Sequence, residues 1–208
     1  MPTATVPNPG PRAAVPADLA ALTEALTDAF LADPVMSWAF DQTVRERRLR
    51  VMWSFLAERS YLPTGDSTVF VDEAGSVPAA ALWSRSDRRS GEAFWDEHGA
   101  EFAAALEGDL ERLGTLSAVM AEHHPTEPHY YLLAIGVAST SQGRGLGTRL
   151  AAPTLERADA EGHGCYLEAT SPRSRDLYRR WGFEVTAEFS APGGPPLWAM
   201  WRPASPIS

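Results

Sequence analysis

The feature that most constrains this chain is a strand, a glycine loop and a helix in direct succession. Tyr130 to Val137 is an unbroken apolar run, which predicts a central strand buried on both faces. Gln142-Gly143-Arg144-Gly145-Leu146-Gly147 comes next, and Leu146 to Ala160 reads as a helix. A helix N-terminus offers unpaired N–H groups and a partial positive charge, so phosphate oxygens are its natural ligand. Glycines let the backbone come close and take left-handed conformations. Arg144 and Arg149 add charge for a pyrophosphate or ribose phosphate. Two other phosphate loops fail on spacing. A Walker loop needs Lys-Ser/Thr where this chain has Thr148-Arg149, and a dinucleotide fingerprint from Gly143 needs glycine at Thr148. Glu168 ends the next strand, roughly where a ribose-binding acid would sit, so a nucleotide-dependent oxidoreductase trails as an alternative.

The rest of the chain supplies the layers around this unit. Asp18 to Leu31 has helical spacing, and Asp33-Pro34 ends it. Val35 to Phe40 is expected to be a loop, and Thr43 to Tyr61 a second helix with an arginine-rich start. Thr68 to Val71 and Ala79 to Trp83 predict a hairpin or meander. Helices are expected over Glu92 to Leu106, over Gly108 to His123 with a break near Gly114, and over Arg175 to Trp181. Further strands are Cys165 to Glu168, Phe183 to Phe189 and Leu197 to Arg202. Pro153 should kink its helix. The order predicts an α/β or α+β fold, a single domain over 18–208 with a mixed, twisted sheet flanked by helices. Residues 1–17 are rich in Pro, Ala and Thr and predict a disordered tail.

Charge and cysteine usage narrow the partners. Acidic residues outnumber basic ones, 27 to 18, the opposite of a nucleic-acid binder. One cysteine, Cys165, excludes an internal disulfide and suits a reducing cytoplasm. It opens a buried strand and is expected to pack rather than react. No apolar run approaches the ~20 residues of a membrane span. The expectation is a cytoplasmic enzyme, monomer or homodimer, with no nucleic-acid, membrane or metal partner.

The glycine loop resembles the acetyl-CoA loop of the GNAT N-acetyltransferase superfamily, Gln/Arg-Gly-x-Gly-x-Gly/Ala after a strand. Ile135-Gly136-Val137 precedes it as in that family, and Leu177-Tyr178-Arg179-Arg180-Trp181-Gly182-Phe183 matches the family's closing Leu/Phe-Tyr-x-x-x-Gly-Phe. Within the superfamily the chain is most similar to the puromycin N-acetyltransferases and their relatives. That likeness rests on Asp28-Ala29-Phe30, Asp33-Pro34, His124-Pro125-x-Glu127-Pro128-His129-Tyr130-Tyr131-Leu132, Leu167-Glu168, Pro172-Arg173 and Trp198-Ala199-Met200. The resemblance implies a sheet splayed between its fourth and fifth strands, with acetyl-CoA as co-substrate in the split. It places Gln142, Gly143, Arg144, Gly145, Leu146, Gly147 and Thr148 on the cofactor, with the backbones of Ile135 and Val137 on its pantetheine arm. Where the family has an asparagine before the tyrosine helix, this chain has Ser171 and Ser174, taken as substitute contacts.

Moving an acetyl group from a thioester to an amine asks that the amine lose a proton, that an oxyanion find a donor and that the departing thiolate be protonated. By the family match, Tyr178 is the acid. The base stays open among His129, Glu168, His123 and His124. Trp38, Phe40 and Trp83 are candidate walls of an acceptor pocket. The expected acceptor is a small primary amine with an aromatic or apolar body. A protein or peptide N-acetyltransferase and a non-catalytic acyl-CoA sensor are the alternatives.

Overall fold

A computed structural model describes residues 9–87, 91–107 and 110–205. Its centre is the apolar run, which forms strand β4 over His129–Val137. Among the described residues six more strands surround it: β1 (Gly10–Ala13), β2 (Thr68–Val71), β3 (Ala79–Arg85), β5 (Gly164–Ala169), β6 (Glu184–Ser190) and β7 (Pro196–Arg202). The sheet order is β1-β2-β3-β4-β5-β7-β6, antiparallel throughout except for the parallel pair β4·β5. The last strand, β7, is therefore internal, and β6 makes the edge.

One face of the sheet is covered by α1 (Leu19–Phe30) and α3 (Arg45–Leu56), the other by α6 (Leu146–Ala160). Leu22, Ala25 and Leu26 bury one stripe of α1, the spacing that the sequence predicts. Leu150, Ala151 and Ala158 do the same for α6. Pro153 lies within α6, which runs on through it to Ala160. Helices α4 (Gly91–Leu106) and α5 (Glu111–Ala121) join the α1/α3 core through Phe94, Phe102, Leu106 and Leu116. Gly114 does not break α5, and Gly108 lies outside the described residues. The short helix α7 (Pro172–Arg179) stands beside β5. No helix among the described residues is long and apolar enough to cross a membrane.

Two expectations fail for reasons of partnership. Within 1–17, Gly10–Ala13 is not a tail but a strand paired with β2, Gly10 opposite Val71 and Ala13 opposite Thr68. The Arg12 guanidinium clasps Asp18 through two 2.7 Å bonds and holds the strand's exit. An edge strand tolerates Pro11, and composition alone cannot see that β2 offers a free edge. Residues 1–8 lie outside the described residues. Val35 to Phe40 is not a loop but lies mostly in helix α2 (Pro34–Ala39), capped by Asp33, with Pro34 at the first helical position where its missing N–H costs nothing.

Candidate active site

Strand β4 has two unlike halves. His129–Leu132 pair with Gly164–Leu167 of β5, and there the parallel ladder stops. On the other side, Trp83 pairs with Leu132 but Leu82 with Ala134, so Leu133 is an extra residue, a β-bulge. A bulge bends its strand and sharpens its twist, and this one sits where β4 and β5 part. It also resets which face each side chain meets: Ala134 joins the α1/α3 core and Ile135 and Val137 the α6 core. Ala138 N–H donates to Pro78 O. The two-residue alternation of an antiparallel ladder then turns the Ile135 and Val137 backbone groups away from β3, into the gap. Gln142 Nε2 donates to Val137 O at 3.1 Å, which leaves Val137 N–H and the Ile135 backbone facing that space.

The glycine loop crosses the mouth of the gap. Gly143 and Gly145 have φ of 75° and 72°, left-handed values that a side chain would strain. Gly145 is the N-cap of α6, with no side chain capping the helix, and a Cβ there would meet nothing within 4 Å. Gln142, Gly143, Arg144, Gly145 and Thr148 are exposed. Leu146 is core and offers only its backbone; a Cβ at Gly147 would rest against Val137, so its smallness serves helix–sheet packing. Thr148 Oγ1 accepts from Trp181 Nε1 and ties α6 to the end of the tyrosine helix. Arg149 stacks over Phe70, 4.6 Å from its ring centre.

Glu168 is the first residue of β5 beyond the last β4 pair. Its Oε2 accepts from Tyr131 Oη at 2.9 Å, while Oε1 is buried with no protein partner. Burial pushes this carboxyl up to about 7, against the pull of the Tyr131 hydrogen bond. The Tyr166 ring stacks on Tyr131, its hydroxyl beside the same carboxylate without closing a well-formed bond. His129 is on the paired half of β4, fully buried among His124, Tyr166 and Trp201. Its Nδ1 lies 2.7 Å from Glu127 O, and burial lowers its pKa. Tyr131 stands between it and the gap. Burial takes His124 down to about 4, and His123 stacks flat on Phe189. Of the four base candidates, Glu168 alone is placed at the parting of the strands.

Tyr178 is on α7, packed against Trp181 and Phe183, and burial raises its pKa. Ser171 and Ser174 hold α7 in place. Ser171 Oγ accepts from Ser174 N–H, and Ser174 Oγ accepts from Ser171 N–H, a reciprocal cap. Their hydroxyls are thus engaged, which argues against the expected cofactor contacts.

A family model described as "Acetyltransferase (GNAT) family" matches residues 66–183, over half the chain, and spans the gap, the glycine loop and the tyrosine helix. The chain belongs to the GNAT acetyltransferase family. It is therefore an N-acetyltransferase of GNAT type, a family whose co-substrate is acetyl-CoA. It is 25% identical over 178 residues to an uncharacterized N-acetyltransferase of Schizosaccharomyces pombe, covering 76% of this chain and 67% of that one. A structure from Corynebacterium glutamicum, "histone acetyltransferase HPA2 and related acetyltransferase", superposes with a TM-score of 0.71 at 27% identity, covering 96% of this chain and 98% of that one. Arylalkylamine N-acetyltransferase 2 from Aedes aegypti gives a TM-score of 0.66 at 16% identity, covering 95% and 100%.

The acceptor side of this GNAT enzyme departs from the sequence expectation. Trp83 is wholly buried in the α6 core, and Phe40 is in the α1/α3 core under Arg48, so neither can wall a pocket. Residue type does not separate a core aromatic from a pocket one. Trp38 is half-buried: its ring meets Gly194 in the β6–β7 turn, and Arg112 of α5 lies over it. The arginines of α3 serve structure. Arg45 holds carbonyls of Leu31, Ser37 and Phe40; Arg47 and Arg48 hold Glu107; Arg50 pairs with Glu24 and Glu46. Sequence reasoning overlooked Tyr131 and Tyr166 as site residues, and also Asp33 and Thr170. Tyr131 sits two residues after His129 on a strand, a spacing that puts both on one face. Asp33-Pro34 carries the N-cap pattern. Nothing local marks Tyr166 or Thr170.

Proposed function

We propose that this enzyme transfers an acetyl group directly from acetyl-CoA to the primary amine of a small acceptor, with Glu168 as base and Tyr178 as acid. The observation that carries the proposal is Glu168 Oε1, buried and unpartnered at the point where β4 and β5 separate.

The residues fit acetyl-CoA. The uncapped α6 N-terminus and the left-handed Gly143 and Gly145 offer backbone N–H groups to a pyrophosphate, with Arg144 and Arg149 adjacent. The Ile135 and Val137 backbones face the gap that a pantetheine arm would fill. When bound, acetyl-CoA supplies an activated acetyl thioester. Glu168 Oε1 accepts a proton from the acceptor ammonium, and a carboxyl held at about 7 is matched to that task near neutral pH. Tyr131 fixes the carboxylate's orientation from the paired half of β4. Tyr178 keeps its proton on Oη at working pH, because burial disfavours the phenolate, and is the group that gives it up to a departing thiolate.

A small acceptor is favoured because two walls touch. Trp38 on α2 meets Gly194 in the β6–β7 turn, which narrows the groove that a peptide would need. The arylalkylamine enzyme of Aedes aegypti and the likeness to puromycin acetyltransferases point the same way. The name of the Corynebacterium structure favours a second reading, a protein acetyltransferase. A thiol-release assay decides between them, comparing arylalkylamines, puromycin-like aminoacyl nucleosides, aminoglycosides and lysine peptides. Turnover is expected with the first two classes, and turnover with lysine peptides alone would transfer the conclusion to the second reading.

A further inference from the structure

Two carboxylates approach the gap, and they are used in opposite ways. Glu168 keeps one oxygen open. Asp33 commits both. Its Oδ1 accepts Val35 N–H at 2.9 Å and Met36 N–H at 3.0 Å, capping α2, and its Oδ2 accepts the Thr170 hydroxyl. Thr170 follows β5 directly, two residues past Glu168, so on an extended chain it points to the same face. A carboxylate with both oxygens engaged by three donors is a good fastener. We propose that Asp33 and Thr170 form a tether that locks α2, the acceptor wall, to the end of β5.

The tether joins segments 137 residues apart. It sets the distance between Trp38, one turn along α2, and the strand that carries Glu168. Asp33 and Thr170 are thus positioning residues, and the inference rests on the proposed acceptor site beside Trp38.

Two variants of the full chain test the tether. Thr170→Val keeps the carboxylate and the shape but removes the bond, and Asp33→Asn keeps a cap oxygen and an amide that can donate to Thr170. In Thr170→Val the KM for the acceptor should rise about tenfold while the acetyl-CoA Kd holds, and in Asp33→Asn, which can re-form the bond, KM should rise less. An unchanged acceptor KM in Thr170→Val, or a rise in acetyl-CoA Kd as large as that in acceptor KM, overturns the tether. Loss of the acid limb of the pH profile in Asp33→Asn would make Asp33 the base and overturn it too. If Tyr178→Phe leaves turnover intact, the acid assignment fails, while the KM-against-Kd split still judges the tether.

Discussion

The two halves of β4 are made of similar residues and behave as different materials. His129–Leu132 is paired on both edges, and its side chains build a dense aromatic and histidine layer. Ala134–Val137 is paired on one edge only, and its backbone groups are what it offers. One extra residue, Leu133, divides them. The lesson is that a single bulge gives the sheet a rigid part, which holds side chains, and an open part, which presents main chain. Glu168, the proposed base, stands at the seam, where both are in reach.

The largest effect is expected at Tyr178. Tyr178→Phe should lower turnover by about 10²–10⁴ with acetyl-CoA affinity nearly intact, because only the hydroxyl is lost. Steady-state kinetics and calorimetric titration read the two quantities. Parent-like turnover would return Tyr178 to packing and leave Glu168 without its acid partner.

Glu168→Gln should lower kcat/KM by about 10² at neutral pH and abolish its acid limb. In the parent that limb should lie near 7, with activity rising as Glu168 loses its proton. Stability should run the other way. A carboxyl held at about 7 when folded, against an ordinary 4.5, binds more protons folded than unfolded between those values. Its contribution is therefore full below the lower value and is lost as pH rises through 7. Thermal unfolding across that window should show a decline that Glu168→Gln flattens. An equal slope in both proteins would place the charge elsewhere.

The paired half can be broken by packing alone. A Cβ on Gly164, opposite His129, would lie 2.1 Å from the Trp201 ring. Gly164→Ala should destabilise by about 1–3 kcal/mol in chemical denaturation, as overpacked cores do. A neutral result would mean that Trp201 has room to retreat and that the paired half is softer than its contacts suggest. The glycine loop at the mouth of the gap has no such crowding at Gly145. Gly145→Val should instead weaken acetyl-CoA binding, by about tenfold or more, by straining a left-handed position and blocking the approach to the α6 N-terminus. Unchanged affinity in a folded variant would remove the loop from the site. The smallest effect is expected from Trp38→Ala, a loss of about 1–2 kcal/mol in acceptor binding with acetyl-CoA binding unmoved. Loss of both together would make Trp38 a core residue like Phe40.

The open half was the legible one. The run from Tyr130 to Val137, the glycine loop and α6 are consecutive, so periodicity and turn chemistry reveal them, and the bounds of α6 agree with Leu146 to Ala160. The fold class followed from that unit and its flanking strands. What stayed hidden depends on contacts distant in sequence. The bulge at Leu133 is visible only against β3, β1 only against β2, and the Asp33–Thr170 bond only in the folded chain. Phe40 and Trp83 misled because burial, not residue type, decides whether an aromatic side chain fills a core or lines a pocket. Ser171 and Ser174 were not legible as a cap, because a hydroxyl next to a helix start has the helix itself as a competing partner.

The internal position of β7 fixes when the site can exist. Until residues 196–202 have left the ribosome, β5 has no neighbour on one side, and its only ladder is four residues long. The nascent chain can assemble β1 to β4 and α1 to α6 from mostly earlier contacts, but Glu168 then sits on a bare edge. Such an edge invites pairing with another chain. Arg202, at the end of β7, clasps Asp159 of α6 through two bonds of 2.8 and 2.6 Å and fastens the strand once it has docked. The proposed site is therefore complete only once a single strand has docked.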